Sequence, residues 1–437
     1  MSIKVLLDNL TDEKRKQIAN DLEFTTKASY YAQQFGQDDG NTIYAFEIRG
    51  EYIHVPFNYS YKVLNLERPT RSSFRKTGLK FNGTLRKLQK QVKKEAVSLL
   101  NKNSSCIISL YTGGGKTATS INISIAIGMP VLVVVTRLVL MDQWEKSIKK
   151  FCPEAKIYKI KTKKDIPTDR DFYIVNAINI PKFSDDKFDH IGTLIADEMH
   201  LLGTEKLSTA FHYVHPRYAL GLSATPTRPD GMDALLHAYF GDKQVHRQLN
   251  RAHTAYKVET WKYVDVALEV KTTNTGTLDW NSILNSQANS EPRNKLIVHI
   301  IQMFPEHCFL ILCKRVSHAK KLEKMLTDID IDVTSLVGVK RSFDTNARVL
   351  VATVQKAGVG FDHPKLNALM IAADVEQYFI QYLGRVFRTE HGSPLIFDFV
   401  DDFRTLKKHF SSRSAVYRKH GGTIKNFYKA FGKIELK

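Results

Sequence analysis

An apolar strand that runs into a glycine turn and then a helix leaves a chain few folds to choose from. Here Cys106-Ile107-Ile108-Ser109-Leu110 is the apolar run. Tyr111-Thr112-Gly113-Gly114-Gly115-Lys116-Thr117 follows it, and a helix-compatible stretch begins near Ala118. Glycines let backbone N–H groups approach an anion closely. The helix N-terminus behind them adds positive potential. Lys116 brings a full charge to the β/γ-phosphates of a nucleotide, and the Thr117 hydroxyl can ligate Mg²⁺. The seven residues read as a phosphate cradle, although Leu110 stands where the strict GxxxxGK[ST] pattern has its first glycine. Alone, such a loop also fits a flexible turn.

Strand-like and helical patterns alternate on both sides of this unit. Between about 81 and 248 the apolar runs are Ile107–Leu110, Val131–Val135, Phe172–Val175, Leu194–Ala196 and Ala219–Leu222. From about 291 they resume as Phe309–Leu312, Val349–Ala352, Leu369–Ala372 and Leu395–Phe399. That alternation predicts parallel sheets flanked by helices. A length of 437 residues asks for two or three domains. The expected organisation is an accessory, DNA-binding N-terminal α+β module over 1–80, an α/β domain over 81–248, a connector over 249–290, and a second α/β domain with a basic C-terminal segment over 291–437. In the N-terminal module the pattern predicts an amphipathic helix near Asp12–Leu22 and two strands joined by a short turn around Arg49-Gly50-Glu51. In the connector, the alternation Tyr263–Val270 predicts a hairpin.

Charge narrows the choice of partner. The net charge is +19, and it is uneven. Residues 62–94 hold 11 Lys/Arg against 1 Asp/Glu, and residues 403–437 hold 10 against 1. Two concentrated surpluses point to a polyanion, nucleic acid first, against the plainer alternative of solvated helix faces. Phe403, Phe410, Tyr417, Phe427, Tyr428 and Phe431 interleave the second segment, where bases can stack on such rings. The four cysteines show no zinc spacing and fit a reducing compartment. The most apolar stretch, Ile121 to Val135, is too short and too interrupted to span a membrane. No secretion signal opens the chain. The expectation is a cytoplasmic protein.

Four further motifs follow the cradle in order. Leu194-Ile195-Ala196-Asp197-Glu198-Met199-His200 ends an apolar strand in two carboxylates, where a phosphate-loop protein keeps an acid for Mg²⁺. Asp197 suits that task, and Glu198 suits orienting and deprotonating an attacking water. Gly221-Leu222-Ser223-Ala224-Thr225-Pro226 and Gly358-Val359-Gly360-Phe361-Asp362-His363-Pro364 read as loops. In Gln381-Tyr382-Leu383-Gly384-Arg385-Val386-Phe387-Arg388, Arg385 and Arg388 are i and i+3 and share a helix face. Each motif alone also fits an ordinary turn or surface charge.

In this order, over about residues 81 to 400, the motifs resemble those of a superfamily 2 helicase. The resemblance implies an α/β fold of two tandem RecA-like domains with ATP and Mg²⁺ bound between them. It makes Leu110, Tyr111, Thr112, Gly113, Gly114, Gly115, Lys116, Thr117, Asp197, Gly360 and Asp362 nucleotide contacts, with Thr117 and Asp197 on the metal. Gln89 resembles the upstream glutamine that reads adenine, with Gln91 the alternative. Glu198, Arg385 and Arg388 become catalytic, the arginines as fingers on the γ-phosphate. His200, Ser223, Thr225 and Gln381 become coupling residues. Thr136, Arg137 and Gln143, in a stretch resembling motif Ia, and Thr353, opening one resembling motif V, become DNA contacts. Met199 stands where the family usually has Ala. Arg228-Pro229-Asp230-Gly231 resembles the XPB-like and UvsW-like branch, which acts on duplex or branched DNA and includes phage and large-virus members.

The resulting expectation is a monomeric ATP-dependent DNA helicase working on forked or branched DNA in replication, recombination or repair. An RNA helicase or transcript-release ATPase is the rival on the same motor. A binding protein with a degenerate ATPase is opposed by the intact Lys116, Glu198, Arg385 and Arg388. A nuclease–helicase is opposed by the lack of a separate nuclease block.

Overall fold

The apolar runs form strands because their residues, all but the half-buried Leu395, are buried, as a parallel sheet covered by helices on both faces requires. The computed structural model describes residues 1–25, 42–161, 165–224, 230–273, 276, 278–340, 342–358, 361, 363–375, 379–387 and 392–434. The chain divides into two compact units, Met1–Arg247 and Gln248–Lys437.

Unit 1 opens with β1 (Ser2–Leu6), β2 (Glu23–Thr25), β3 (Thr42–Tyr44), β4 (Glu47–Arg49) and β5 (Tyr52–Pro56). Strands β1, β5 and β4 make an antiparallel sheet. Gly50, at φ 57, turns β4 into β5, the left-handed position a two-residue hairpin needs. The helix Asp12–Asp21 is capped by Thr11, whose side chain accepts from Lys14 N. The main sheet of unit 1 holds β6 (Ser105–Leu110), β7 (Val131–Val135), β8 (Ile157–Ile160), β9 (Phe172–Asn176), β10 (Thr193–Ala196), β11 (Tyr218–Ser223) and β12 (Gln244–Arg247). All are parallel, in the order β12-β6-β11-β10-β7-β9-β8.

Residues 1–80 do not stand apart as a separate module. Ser2 N donates to Val214 O at 3.1 Å and Ser2 Oγ to His212 O at 3.0 Å. Asn58 Nδ2 donates to His237 O at 3.2 Å. Val55, Phe57 and Tyr59 share one apolar core with Met199, Phe211, Tyr239 and Phe240. Three guanidiniums of the first basic segment tie the following stretch down. Arg68 donates to Ser104 Oγ at 2.7 Å, Arg71 to Ile127 O at 2.6 Å and Arg75 to Asp171 Oδ1 at 2.9 Å. Those charges serve the fold, and a chain starting near residue 80 would leave this core open.

Unit 2 holds β13 (His253–Glu259), β14 (Phe309–Cys313), β15 (Val333–Leu336), β16 (Val349–Thr353), β17 (Ala368–Ile371), β18 (Leu395–Val400) and β19 (Gly422–Asn426), all parallel. Their order is β15-β16-β14-β17-β18-β13-β19. Read from its far edge, the first sheet runs β8-β9-β7-β10-β11-β6-β12, so the two sheets repeat one topology. The expected tandem RecA-like α/β fold is what the structure has.

The connector expected over 249–290 is corrected. Its first strand, β13, pairs with β18 and β19 and belongs to the second sheet. Residues 263–270 form no strand, because no neighbouring strand is there to accept their alternation. The position equivalent to the glycine loop, after β13, is the turn Thr260–Lys262, which carries no glycine.

His318 sits buried in unit 2 with its Nε2 donating to Asn294 Oδ1 at 2.8 Å. Burial, with the Arg293 and Lys321 charges adding, pushes its pKa down to about 3. The unfolded chain takes up that proton near pH 6.5, so the stabilising contribution is full above 6.5 and is lost as pH falls toward 3. His318→Gln keeps the donor and removes the titration. Denaturant unfolding between pH 7 and 4 is expected to show the wild-type transition that involves unit 2 falling by up to about 1.4 kcal/mol per pH unit more steeply than the variant's.

Candidate nucleotide site

The cradle sits where β6 ends and the helix Lys116–Ile127 begins. Gly113 and Gly115 both have φ of 86, and Gly114 N donates to Tyr111 O at 2.9 Å. A Cβ on Gly115 would lie 2.0 Å from Gln89 Nε2, so only glycine fits there. Gln89 is buried in the helix Lys87–Asn103, and its Oε1 accepts from Arg86 N at 2.7 Å. Arg86 donates in turn to Gly113 O at 3.2 Å. The structure brings Gln89 to the loop and leaves Gln91 exposed. Lys116 Nζ donates to Leu110 O at 3.1 Å, which turns its charge across the mouth of the loop. Leu110 itself is fully buried at the strand end, while Tyr111, Thr112 and Thr117 are half-buried.

The two carboxylates follow β10, two strands from β6 in the sheet. Asp197 N donates to Val134 O at 3.0 Å, which fixes the backbone against β7. Its Oδ2 accepts from Trp144 Nε1 at 2.8 Å and its Oδ1 from Glu198 N at 3.1 Å. Burial, then the Glu198 charge, pushes the Asp197 carboxyl up to about 6, while the Trp144 N–H and the Lys116 charge oppose the rise. Glu198 takes the left-handed conformation, φ 47. Its Oε2 is buried and accepts no hydrogen bond, with His200 Nδ1 3.6 Å away. His200 is buried and its Nδ1 also lies 2.9 Å from Ser223 Oγ at the end of β11. A glycine cradle that a side chain would fill, a buried carboxylate and an unpartnered carboxylate oxygen together fit a nucleotide phosphate with Mg²⁺.

Two residues of this site escaped the sequence reading. Trp144 is 2% exposed, in the helix Leu138–Phe151, and joins that helix to the metal-type acid across 53 residues of chain. Met199 fills the space over Gly221, where a Cβ would meet its Sδ at 2.4 Å. The unusual Met of the Asp-Glu-Met-His run is thus matched by a glycine in the next strand. A methionine there with a glycine 22 positions on was the only signal available.

Other expected residues fall as follows. Arg137 is exposed, and Thr136 and Gln143 are half-buried, at the end of β7 and in the helix after it. In unit 2, Thr353 is 6% exposed at the end of β16. Arg385 is 6% exposed, and its NH1 donates to Phe361 O at 2.8 Å. Within unit 2 its guanidinium packs against the Phe361 carbonyl and ring. Gln381 is half-buried in the helix Phe379–Val386. Thr225, Arg228, Gly360, Asp362 and Arg388 lie outside the described residues.

Comparison with known proteins agrees with this geometry. The family described as type III restriction enzyme, res subunit, matches residues 82–228. Protein 161L of Invertebrate iridescent virus 6, designated a helicase, is 42% identical over 403 residues, covering 86% of this chain and 90% of that protein. Protein 055L of Frog virus 3, also designated a helicase, is 34% identical over 388 residues, covering 86% of each. The chain therefore belongs to the superfamily 2 helicases, among their large-virus members. Among solved structures, S. cerevisiae Dbp5 bound to RNA and ADP BeF3 shares the fold, with a TM-score of 0.55 at 14% identity, over 77% of this chain and 89% of that one. Membership makes the chain an ATP-dependent helicase that binds nucleic acid. No described helix is long and apolar enough to cross a membrane.

Gly221→Ala is expected to destabilise the folded chain by about 1–3 kcal/mol, the usual cost of overpacking a core. Adding Met199→Ala to it removes the 2.4 Å clash and leaves the tighter-than-usual contact with the Phe240 ring at 3.1 Å. A double-mutant cycle by denaturant unfolding is then expected to show the pair less destabilised than the sum of the singles by more than 0.5 kcal/mol, as residues in contact do.

Proposed function

We propose that this helicase is a DNA motor whose ATP site is the C-terminal edge of the unit 1 sheet, and that it works on forked or branched DNA. The observation that carries the ATP site is the pinned Asp197–Glu198 pair beside the glycine cradle, with Glu198 Oε2 buried and without a hydrogen bond. Lys116 and the loop N–H groups would hold the phosphates, and Thr117 and Asp197 the Mg²⁺. Bound ATP with Mg²⁺ supplies a phosphoryl group whose developing charge the metal and the fixed donors neutralise. Glu198 orients a water and takes its proton at the free carboxylate oxygen. The left-handed backbone at Glu198 aims that side chain, a strain that the packed Met199 and His200 on its C-terminal side maintain. His200 contacts both Glu198 and Ser223. A shift of the β11 end is thereby passed to the carboxylate, which is the basis for giving His200 and Ser223 the coupling role. Arg385 orders the Phe361 segment in unit 2.

The DNA part of the reading is supported by the Arg228-Pro229-Asp230-Gly231 resemblance and by the concentrated positive charge of residues 403–437. Initial ATP-hydrolysis rates and strand displacement on single-stranded, duplex, forked and four-way DNA, each with matched RNA, test it. The expected result is the strongest stimulation, and product formation, on the forked and four-way DNA. Equal or greater stimulation by the RNA set would replace DNA with RNA as the substrate and leave the ATP site standing.

A further inference from the structure

The helix Arg404–Lys419 carries its charge in an unusual way. Its sixteen residues include no Asp or Glu. Leu406, Phe410, Arg413, Ser414 and Tyr417 are its buried positions, and Arg404, Lys407, Lys408, Arg418 and Lys419 are exposed. At 100° per residue those five cations fall on one face, opposite the buried stripe. Arg413, the sixth cation, is spent on the interior, donating to both Asp398 oxygens and to Asp374, each at 2.8 Å. Lys407 pairs with Asp402. Arg404, Lys408, Arg418 and Lys419 make no ion pair among the described residues.

Helix stability accounts for only part of this arrangement. Arg418 and Lys419 in the last turn suit the helix dipole, but Arg404 and Lys407 in the first turn oppose it, and no acid on the helix offsets them. Base stacking does not account for it either, since Phe410 and Tyr417 point into the core and the Trp261 ring beside the face is covered by the Lys407 ammonium, 4.7 Å from its centroid. The middle of the face is Ser411, Ser412 and Ala415, side chains small enough for a backbone to lie close. From Arg404 to Lys419 the helix is about 22 Å long. At about 3.4 Å of axial rise per step that matches about six base-pair steps of a duplex.

We propose that this face docks the sugar–phosphate backbone of duplex DNA, as a contact of unit 2 distinct from the strand-contact residues assigned at Thr136, Arg137, Gln143 and Thr353. The proposal rests on the DNA reading above. A face whose exposed side chains are Arg, Lys, Ser and Ala, with the neighbouring Trp261 ring covered by Lys407, reads phosphates and not unstacked bases, which favours a duplex over a single strand.

The test compares the full wild-type chain with a variant carrying Arg404→Gln, Lys408→Gln, Arg418→Gln and Lys419→Gln. Fluorescence anisotropy follows a blunt 24-bp DNA duplex, a 24-nucleotide oligo(dT) and the matching RNA duplex across a KCl series, and thermal melting verifies folding. Four lost phosphate contacts are expected to flatten the log–log salt slope on the DNA duplex by about 3–4, with oligo(dT) affinity changed less than twofold. Ala415→Glu, a single acid in the middle of the face, is expected to weaken duplex binding at least threefold by itself. An unchanged duplex slope in the quadruple variant would overturn the proposal and leave the face solvated. Equal losses on duplex and oligo(dT) would overturn it in favour of single-strand tracking. A wild-type chain that binds the RNA duplex and not the DNA duplex would overturn the DNA reading itself.

Discussion

A carboxylate buried at the end of a parallel strand has to be held by donors, and the rest of unit 1 is arranged around how Asp197 is held. One oxygen takes the Trp144 indole N–H and the other the Glu198 backbone N–H. The first bond ties the helix after β7 to the end of β10, and the second belongs to the left-handed turn that aims Glu198. A hydrogen bond to a charged group contributes about 1.5–3 kcal/mol, enough to keep the carboxylate oriented although burial alone would favour its neutral form. The same residues then have two jobs. Trp144 fills core, and through Asp197 it connects the stretch carrying Thr136 and Arg137 to the place where a nucleotide's metal would sit.

The two sheets repeat one topology, and what differs at equivalent positions explains why the glycine cradle and the acid pair occur in one of them. After β6 the chain makes a glycine turn with two left-handed residues, whereas after β13 it makes the turn Thr260–Lys262. After β10 come Asp197 and Glu198. After β17 comes Asp374, whose carboxylate is taken up by Arg413 and His409. The second unit has turned its strand-end charges inward as structure. Arg293 does likewise, donating to Asp401 and to Ala372 O.

Much of this was legible in the sequence, for reasons that also mark where reading stopped. β6, β7, β9, β10, β11, β14, β16, β17 and β18 are inner strands, almost wholly buried, and show as mainly apolar runs, with Ser109 in β6 and Asp398 in β18 as polar interruptions. β8, β12, β15 and β19 lie at or beside sheet edges, where half-exposed side chains give no such run. β13 alternates as a strand should, and so does Tyr263–Val270, but only β13 has neighbours to pair with. The cradle and the acid pair were legible because each is local in sequence. The Trp144–Asp197 bond, the Met199–Gly221 contact and the burial of Arg385 were not, since each joins residues that only the fold brings together. Charge counting misread Arg68, Arg71, Arg75 and Arg413 for the same reason, because it does not show which cations the protein's own oxygens have already claimed.

The central claim is that Asp197 and Glu198 divide the work beside one cradle, the first holding and the second activating. Turnover and nucleotide affinity measured together on Glu198→Gln test it most directly, because that change keeps the side chain's size and removes its ability to take a proton. The account predicts ATP affinity within a few-fold of wild type and steady-state hydrolysis lowered by about 10²-fold or more. Hydrolysis close to the wild-type rate, at the same affinity, would contradict it.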